Sequence, residues 1–261
     1  MESHMTANST SKTPTVWDGV CITPFFDTEH SASRLLFITH LIGWQDGREL
    51  AVLNHILSLP NLDEIRGEPQ AILEAIEKWS QKNQILMVIG PERGRTILDL
   101  ISETKPKTMV ELGGYIGYSA IKFGSAVKAV GGQRYLSFES NAEYASIAQK
   151  LIDLAGLNDF VHITVGPSTD SLNSLARQNP PGEIDILFLD HPEHLYVSDL
   201  KLCEDSHLLN IGSYVVADNV GGPGAQEYVS RVEGRAYATE KYRCVLADGD
   251  LDAMTVSKRL E

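Results

Sequence analysis

The spacing of hydrophobic residues changes near Pro106 and divides the chain into two parts. Before it, apolar side chains recur every three or four positions, which predicts amphipathic helices over 49–59, 69–79 and 94–104. After it, short apolar runs alternate with helical patterns. The predicted strands are 108–112, 134–139, 161–165, 184–190 and 213–218, and the predicted helices between and after them are 118–130, 142–155, 170–177 and 196–209.

This alternation predicts an α/β protein with a mostly parallel sheet that is covered by helices on both faces. In such sheets, ligands bind beyond the carboxyl ends of the strands, where the strand order switches. Residues at the ends of the predicted strands are therefore the first candidates for a functional site.

The first 46 residues lack this pattern. We expect 1–15 to be a disordered lead, because it is rich in Ser and Thr, and Ser3-His4-Met5 is typical of a cloning tag. An amphipathic stretch at 31–42 predicts one helix within an N-terminal helical extension, 16–46. The preferred interpretation is a helix that covers one end of the domain, and a partner-binding arm is the alternative. Residues 47–261 are predicted to form one domain.

The chain carries a net charge of −13. This balance argues against a nucleic-acid surface and against attachment to an anionic membrane, since both need basic patches. No apolar stretch reaches the ~20 residues of a membrane-spanning helix. The three cysteines are widely spaced and form neither a zinc motif nor a disulfide framework, so a cytoplasmic location is predicted.

A glycine-rich turn, Glu111-Leu-Gly-Gly-Tyr-Ile-Gly-Tyr-Ser119, follows the first predicted strand. Gly113 and Gly117 permit a tight turn and close approach of the backbone to a ligand, and the next helix directs free N–H groups at that ligand. A tight turn without a ligand is the alternative.

Glu139 ends the second strand, where a carboxylate can accept hydrogen bonds from both ribose hydroxyls of an adenosine. The two signals fit NAD as well as other nucleotide cofactors, and a solvated charge is the alternative for Glu139.

Two further predicted strands deliver oxygen ligands to the same edge of the sheet. Asp190 ends the strand 184–190, and Asp218-Asn219 ends the strand 213–218. Carboxylate and amide oxygens suit Mg²⁺, and three of them leave coordination positions for two substrate oxygens and a water. A dehydrogenase has no use for this arrangement. The alternative is that both aspartates cap neighbouring helices.

Several motifs in the same order resemble those of the catechol O-methyltransferase family. They are the glycine-rich turn, Glu139-Ser140-Asn141, Asp153-Leu-Ala-Gly156, the segment 165–170, Phe188-Leu-Asp-His191, Ala217-Asp-Asn-Val220 and Pro223-Gly-Ala225. The likeness runs from about Gly47 to Lys258, so the extension at 16–46 lies outside it.

The resemblance implies a seven-stranded, Rossmann-like methyltransferase fold with a final antiparallel hairpin near 242–246 and 253–257. It implies S-adenosylmethionine and Mg²⁺ as cofactors. The implied metal ligands are Asp190, Asp218 and Asn219. The implied cofactor contacts are Ile89, Gly90, Glu111, Gly113, Tyr115, Gly117, Ser119, Glu139, Ser140, Ser168, Asp190 and His191.

The chain departs from the family at the substrate wall. The family has a lysine three residues after the metal-binding aspartate, where this chain has Glu193. A carboxylate beside an anionic substrate oxygen is unfavourable unless it is protonated, turns away or pairs with a cationic substrate. His194 is the candidate base, because histidine changes charge near neutral pH, and a surface residue is the alternative. Two family tryptophans correspond to Ile85 and Pro192.

A family glutamate that contacts the second substrate hydroxyl falls at Ala247 or Asp248 here. Turn chemistry within 248–250 is the preferred interpretation of Asp248.

The leading hypothesis is a Mg²⁺- and S-adenosylmethionine-dependent O-methyltransferase that acts on a small catechol-like or polyhydroxylated molecule. The missing lysine motivates a second hypothesis, in which the fold and cofactor stay and the reaction is methyl transfer to an amine or carboxylate, or catalysis without methyl transfer. A third hypothesis is a non-catalytic sensor that binds the cofactor.

Overall fold

The computed structural model describes residues 21–22, 46–178, 182–245 and 251–261. The described helices are α1 (Arg48–Leu57), α2 (Leu62–Ile65), α3 (Pro69–Lys82), α4 (Gly90–Thr104), α5 (Tyr118–Ala129), α6 (Ala142–Leu154), α7 (Ser168–Ala176), α8 (Tyr196–Asp205) and α9 (Gln226–Val232), with short 3₁₀ turns at Glu193–Leu195 and Pro223–Ala225. The described strands are β1 (Cys21–Ile22), β2 (Thr108–Leu112), β3 (Arg134–Glu139), β4 (Val161–Val165), β5 (Ile184–Leu189), β6 (Leu209–Ala217), β7 (Tyr237–Val245) and β8 (Leu251–Arg259).

These strands form one sheet in the order β1-β7-β8-β6-β5-β2-β3-β4. Neighbouring strands from β6 to β4 are parallel, whereas β8 runs antiparallel to both β6 and β7. The predicted fold class is therefore confirmed, and the two-residue β1 adds a short parallel strand beside β7. The chain moves outward from β2 to β4 and then returns to place β5 on the other side of β2. That switch is where an α/β sheet binds its ligands.

Alternate side chains of the central strands enter two hydrophobic cores, one on each face of the sheet. Met109 of β2 packs on the face covered by α1 and α3 to α6. Its neighbour Val110 packs on the face covered by α7, α8 and α9. β2 is buried along its whole length, as expected for a parallel strand with helices on both sides. The carboxyl ends of β2 and β5 are thereby held rigidly next to each other.

Most predicted elements exist, with shifted ends. Helix α4 starts at Gly90 rather than 94, with Pro91 in its first turn, where proline is tolerated because no helical N–H is needed there. Strand β6 starts at Leu209 rather than 213, and the hairpin strands are longer than predicted. Helices α2 and α9 were not predicted. The tail 1–15, the helix at 31–42 and the Ala247/Asp248 position lie outside the described residues, so those predictions and the domain boundaries are untested.

No helix within the described ranges is long and apolar enough to cross a membrane.

Candidate active site

The glycine-rich turn lies between β2 and α5 and is pressed against the end of β5. Gly113 has a φ of 96°, and a Cβ there would lie 2.1 Å from the carbonyl oxygen of Asp190. Gly117 has a φ of 84° and precedes α5, where a Cβ would lie 3.0 Å from the Cβ of Ala148. Only glycine satisfies both the backbone conformation and the close approach at Gly113. The turn therefore brings its backbone and the N-terminus of α5 to the carboxyl edge of the sheet.

The carboxylate of Glu139 is held by backbone N–H groups at the end of β3. The N–H of Tyr115 donates to Oε2 and the N–H of Asn141 donates to Oε1, each at 2.7 Å. Burial raises the pKa of Glu139, while these backbone donors lower it. The backbone of Gly114 and the side chain of Ser140 contribute further hydrogen bonding that lowers this pKa, so folding has already oriented the carboxylate. Ser140, the next residue, is exposed beside it.

Glu111 lies below the turn with no exposed surface. Tyr135 donates to its Oε2, and Ser137 donates to its Oε1 at 2.6 Å. Burial raises the pKa of Glu111 to about 7, against the opposing effect of its Ser137, Tyr135 and Ser119 hydrogen bonds. The side chain thus supports the turn from inside the protein, and a direct contact between Glu111 and a cofactor stays a prediction.

Tyr115 joins the turn to α1. It is a non-glycine residue with a φ of 43°, and its hydroxyl donates to Oε1 of Glu49 at 2.6 Å. Its ring meets the ring of Tyr144 edge-on, with centroids 5.0 Å apart. The sequence pattern carried no signal for Glu49, because this residue is on a separate helix and its spacing indicates only an amphipathic face.

The second part of the site is an acidic edge formed by the ends of β5, β6 and β8. The N–H of Asp190 donates to the carbonyl oxygen of Leu112 at 2.9 Å, and the N–H of Asp218 donates to the carbonyl oxygen of Leu189 at 3.0 Å. The carboxyl ends of β2, β5 and β6 therefore lie side by side at one edge of the sheet. Burial and the charge of Asp218 raise the pKa of Asp190 well above its ordinary value. Burial also raises the pKa of Asp218. The structure thus brings together the two predicted aspartates and, directly after Asp218, Asn219.

Two residues of this edge were missed at the sequence level. Arg93, in the first turn of α4, donates from Nη1 to Oδ2 of Asp218 at 2.7 Å. Asp252 of β8 accepts from Nδ2 of Asn219 at 2.8 Å, and its Oδ2 lies 3.9 Å from Nη1 of Arg93. The negative charges of Asp190, Asp218 and Asp252 therefore act on the guanidinium of Arg93 and raise its pKa against the effect of burial.

One atom of the acidic edge fits a metal ligand. Oδ1 of Asp218 is buried and has no hydrogen-bond partner among the described residues. Burying an oxygen without a hydrogen-bond partner costs free energy, and a bound cation would supply the missing partner. Within the part of the chain that the structure describes, no three His, Cys, Asp or Glu side chains gather as a metal cluster. The predicted set relies on the amide of Asn219 for its third ligand, so its hard oxygen donors still fit Mg²⁺.

Glu193 and His194 lie in the short 3₁₀ turn after β5. The carboxylate of Glu193 is half-buried against the loop that precedes α9, since a Cβ on Gly224 would lie 2.2 Å from its Oε2. Burial and the charge of Asp252 raise the pKa of Glu193, and His194 opposes this. His194 itself is exposed. The assignment of either residue as the base stays a prediction.

A buried carboxylate, Asp199 of α8, holds two predicted cofactor residues. It accepts from Ser168 at 2.5 Å and lies 2.9 Å from Nε2 of His191, with Thr169 at 3.0 Å from its other oxygen. Burial acts to raise the pKa of Asp199, and the bonds from His191 and Ser168 more than offset it. His191 Nδ1 is buried without a partner among the residues described. Asp199 thus fixes the orientation of the His191 ring.

The remaining predicted residues are at the same edge or near it. Ile89 is buried at the start of α4, and Gly90 has a φ of 72°. Ser119 is buried in the first turn of α5. The two positions that replace tryptophan, Ile85 and Pro192, are exposed.

Comparison with known proteins gives a consistent result. A sequence model described as O-methyltransferase matches residues 63–238. Catechol O-methyltransferase of Bos taurus is 33% identical over 189 residues, covering 72% of this chain and 67% of that protein. Catechol O-methyltransferase of Mus musculus is 34% identical over 195 residues, covering 75% and 71%. The crystal structure of an O-methyltransferase from Bacillus cereus in complex with SAH has a TM-score of 0.61 at 18% identity, covering 87% of this chain and 97% of that one. At that identity the structural likeness supports the fold alone.

Proposed function

The chain belongs to the S-adenosylmethionine-dependent O-methyltransferase family, and on that premise we propose that it methylates one hydroxyl of a small catechol-like or polyhydroxylated molecule with the help of Mg²⁺. The observation that carries this proposal is the buried Oδ1 of Asp218, which has no hydrogen-bond partner among the described residues and belongs to the same acidic edge as Asp190. Family membership also favours an enzyme over the sensor hypothesis.

In this proposal the turn and its surroundings bind the methyl donor. Glu139, already oriented by two backbone N–H groups, accepts the ribose hydroxyls. His191, held by Asp199, and Ser168 line the adenine side. Ile89 and Gly90 contact the methionine part. The further contacts are Gly113, Tyr115, Gly117, Ser119, Ser140 and Asp190, with Glu111 acting from below.

Asp190, Asp218 and Asn219 would hold the metal ion. When bound, Mg²⁺ would lower the pKa of a substrate hydroxyl and orient it toward the methyl donor. Arg93 offsets part of the negative charge through Oδ2 of Asp218 and leaves Oδ1 for the metal. The acidic balance of the chain supports a small-molecule substrate over a nucleic acid.

Proton removal is assigned to the 3₁₀ turn after β5. Burial raises the pKa of Glu193 above its ordinary value, which makes this carboxylate a better proton acceptor, and the side chain is only half-buried. His194 is exposed and is the second candidate.

The proposal is tested with labelled cofactor and pairs of substrates that differ by one hydroxyl. We expect transfer to a catechol in the presence of Mg²⁺, and at least a hundredfold less with a chelator or with the monohydroxy analogue, because only a vicinal diol can occupy two metal positions. Absence of transfer to every vicinal diol tested, with and without Mg²⁺, would contradict it.

Glu193 also favours a second candidate, methyl transfer to an amine. The charges of Glu193 and Asp252 lie close enough to affect each other, which suits binding of an ammonium group; that group would pass a proton to Glu193 before its neutral nitrogen accepts the methyl group. A large gain in catechol methylation by Glu193→Lys, with a loss of amine methylation, would support this candidate. Equal activity of Glu193→Gln and the unchanged enzyme toward amines would count against it.

A further inference from the structure

We propose that Asp252 is a positioning residue that fixes the orientation of the Asn219 amide, so that the amide oxygen faces the metal ion. This inference rests on the proposed function, because it assumes that Asn219 is a metal ligand. It concerns a residue on β8, the strand antiparallel to β6, and none of the motifs quoted above contains that residue.

The hydrogen bonds of Asp252 all link it to the loop after β6 or to its own strand. Oδ2 accepts from Nδ2 of Asn219 at 2.8 Å. Oδ1 accepts from the N–H of Gly221 at 3.0 Å and from the N–H of Ala253 at 2.8 Å. The residue is buried, with 7% of its surface exposed. A buried carboxylate with this set of donors has little freedom to turn.

An ionised carboxylate can only accept hydrogen bonds. The amide of Asn219 must therefore present its nitrogen to Asp252, which directs its oxygen away from β8. An amide that was free to turn would present its nitrogen to the metal in some orientations, and an N–H₂ group cannot bind a cation. Fixing the amide removes those orientations before the metal arrives.

The backbone of the loop supports the same contact. Asn219 has a φ of 54°, a conformation that asparagine tolerates better than most residues. The N–H of Val220 donates to the carbonyl of Ala253 at 2.8 Å, which ties the loop to β8. A Cβ on Gly221 would lie 2.7 Å from Cα of Asp252, so glycine is required for this approach.

The test is a double-mutant cycle on Mg²⁺ affinity, measured by calorimetry with Mg²⁺ alone and no cofactor. Asp252→Asn places a second side-chain amide against the amide of Asn219, so Asn219 is no longer held in one orientation. This should weaken Mg²⁺ binding on the order of tenfold, which is typical of the loss of a residue that orients a metal ligand. Asn219→Gly removes the proposed metal ligand, and glycine tolerates the positive φ at this position. In the Asn219→Gly background, Asp252→Asn should change the affinity less than twofold.

Gly221→Ala is a second variant that leaves the charge unchanged. Its Cβ would push Asp252 away, so it should also weaken Mg²⁺ binding in the unchanged protein and have no effect after Asn219→Gly. Asp185→Asn is the matched control, because Asp185 also accepts two backbone N–H groups, from Lys107 and Thr108, but at the opposite end of β5. We expect it to leave Mg²⁺ affinity unchanged.

The outcomes separate this inference from the proposed function. If Asn219→Gly alone does not weaken Mg²⁺ binding, Asn219 is no ligand and the proposed metal site fails. If Asn219→Gly weakens binding and Asp252→Asn has the same effect in both backgrounds, Asp252 acts through its charge or through the fold and the inference is overturned. An effect of the Asp185→Asn control as large as that of Asp252→Asn would overturn it too.

Discussion

The edge formed by β2 and β3 and the edge formed by β5, β6 and β8 both present buried carboxylates, but they satisfy them differently. Each oxygen of Glu139 and Glu111 accepts a hydrogen bond from the chain's own backbone or hydroxyl groups. At the other edge, Oδ1 of Asp218 has no partner among the described residues, and Arg93 is the cation in contact with its other oxygen. The first edge is complete as folded, and the second has the chemistry of a site that a cation completes.

This difference assigns different physical roles to the two edges. The first is preorganised, so a ligand there meets groups whose orientation has already been fixed by folding. The second stores unfavourable electrostatics, because the charges of neighbouring aspartates add to burial in raising the pKa values of Asp190 and Asp218. Binding of a metal ion would release that energy, and metal affinity is therefore coupled to the charge of the site.

The largest expected effect comes from Gly113, where the two edges touch. Gly113→Ala would place a Cβ 2.1 Å from the carbonyl oxygen of Asp190 in a residue with a φ of 96°. We expect cofactor affinity to fall on the order of a thousandfold, about 4 kcal/mol, and Mg²⁺ affinity to fall with it. Gly131→Ala is the matched control, since Gly131 has a φ of 87° but open space around it. It should lose only roughly 1 kcal/mol of folding stability.

Cofactor binding by calorimetry and unfolding by denaturant separate the two variants. Equal losses of cofactor affinity in both would mean that backbone strain, rather than the contact between the turn and β5, explains the glycine.

The next effect is a pH dependence of stability caused by Glu111. Its pKa is about 7 in the folded protein, above the ordinary 4.5, so the folded state holds the proton more tightly than the unfolded state. The stability from this group is present below about pH 4.5 and is lost as the pH rises to about 7 and above, by about 3 kcal/mol. Glu111→Gln cannot lose a proton. Its unfolding free energy relative to the unchanged protein should therefore rise by that amount from pH 4.5 to 8.

Denaturant unfolding at several pH values measures this difference. Glu103→Gln, at an exposed position of α4, is the control and should give a flat difference. A flat difference for Glu111→Gln as well would show that folding does not raise the pKa of this carboxyl.

A smaller effect is expected when the incomplete edge is neutralised. Asp218→Asn removes the charge that faces Arg93 and replaces one of the two oxygens by a nitrogen donor. We expect Mg²⁺ affinity to fall about a hundredfold, about 2.7 kcal/mol, with cofactor affinity in the absence of metal changed less than twofold. Titration with Mg²⁺ and with cofactor, each alone, tests both statements. A parallel loss of cofactor affinity would mean that the two edges act as one unit.

The residues that sequence patterns identified share one property, which is that they end a predicted strand or directly follow one. The glycine-rich turn, Glu139, Asp190 and Asp218-Asn219 each lie at a carboxyl end, where the sheet order brings separate strands together. Their relative placement follows from the parallel topology and needs no knowledge of side-chain packing.

The missed residues come from elements whose position depends on packing. Arg93 reaches Asp218 from the first turn of α4, and Glu49 reaches Tyr115 from α1. Asp252 reaches Asn219 because β8 inserts antiparallel between β6 and β7, in a register that its own sequence does not reveal. The contact of each residue depends on a long-range placement of helices or strands, and a local pattern carries no information on it.

The smallest effect is expected at the complete edge, and it tests whether preorganisation there is as local as the hydrogen bonds indicate. Glu139→Gln keeps one acceptor oxygen and sets an N–H₂ group against the N–H of Tyr115 or Asn141. Cofactor affinity should fall about tenfold, about 1.4 kcal/mol, because one ribose contact and one backbone contact are lost while the turn stays in place. Mg²⁺ affinity should not change, and Glu143→Gln, an exposed glutamate at the start of α6, should change neither. Calorimetry with each ligand alone decides the matter. A loss of Mg²⁺ affinity in Glu139→Gln would mean that a change in the glycine-rich turn is transmitted through Gly113 to Asp190. The edge formed by β2 and β3 would then also set the geometry of the edge formed by β5, β6 and β8.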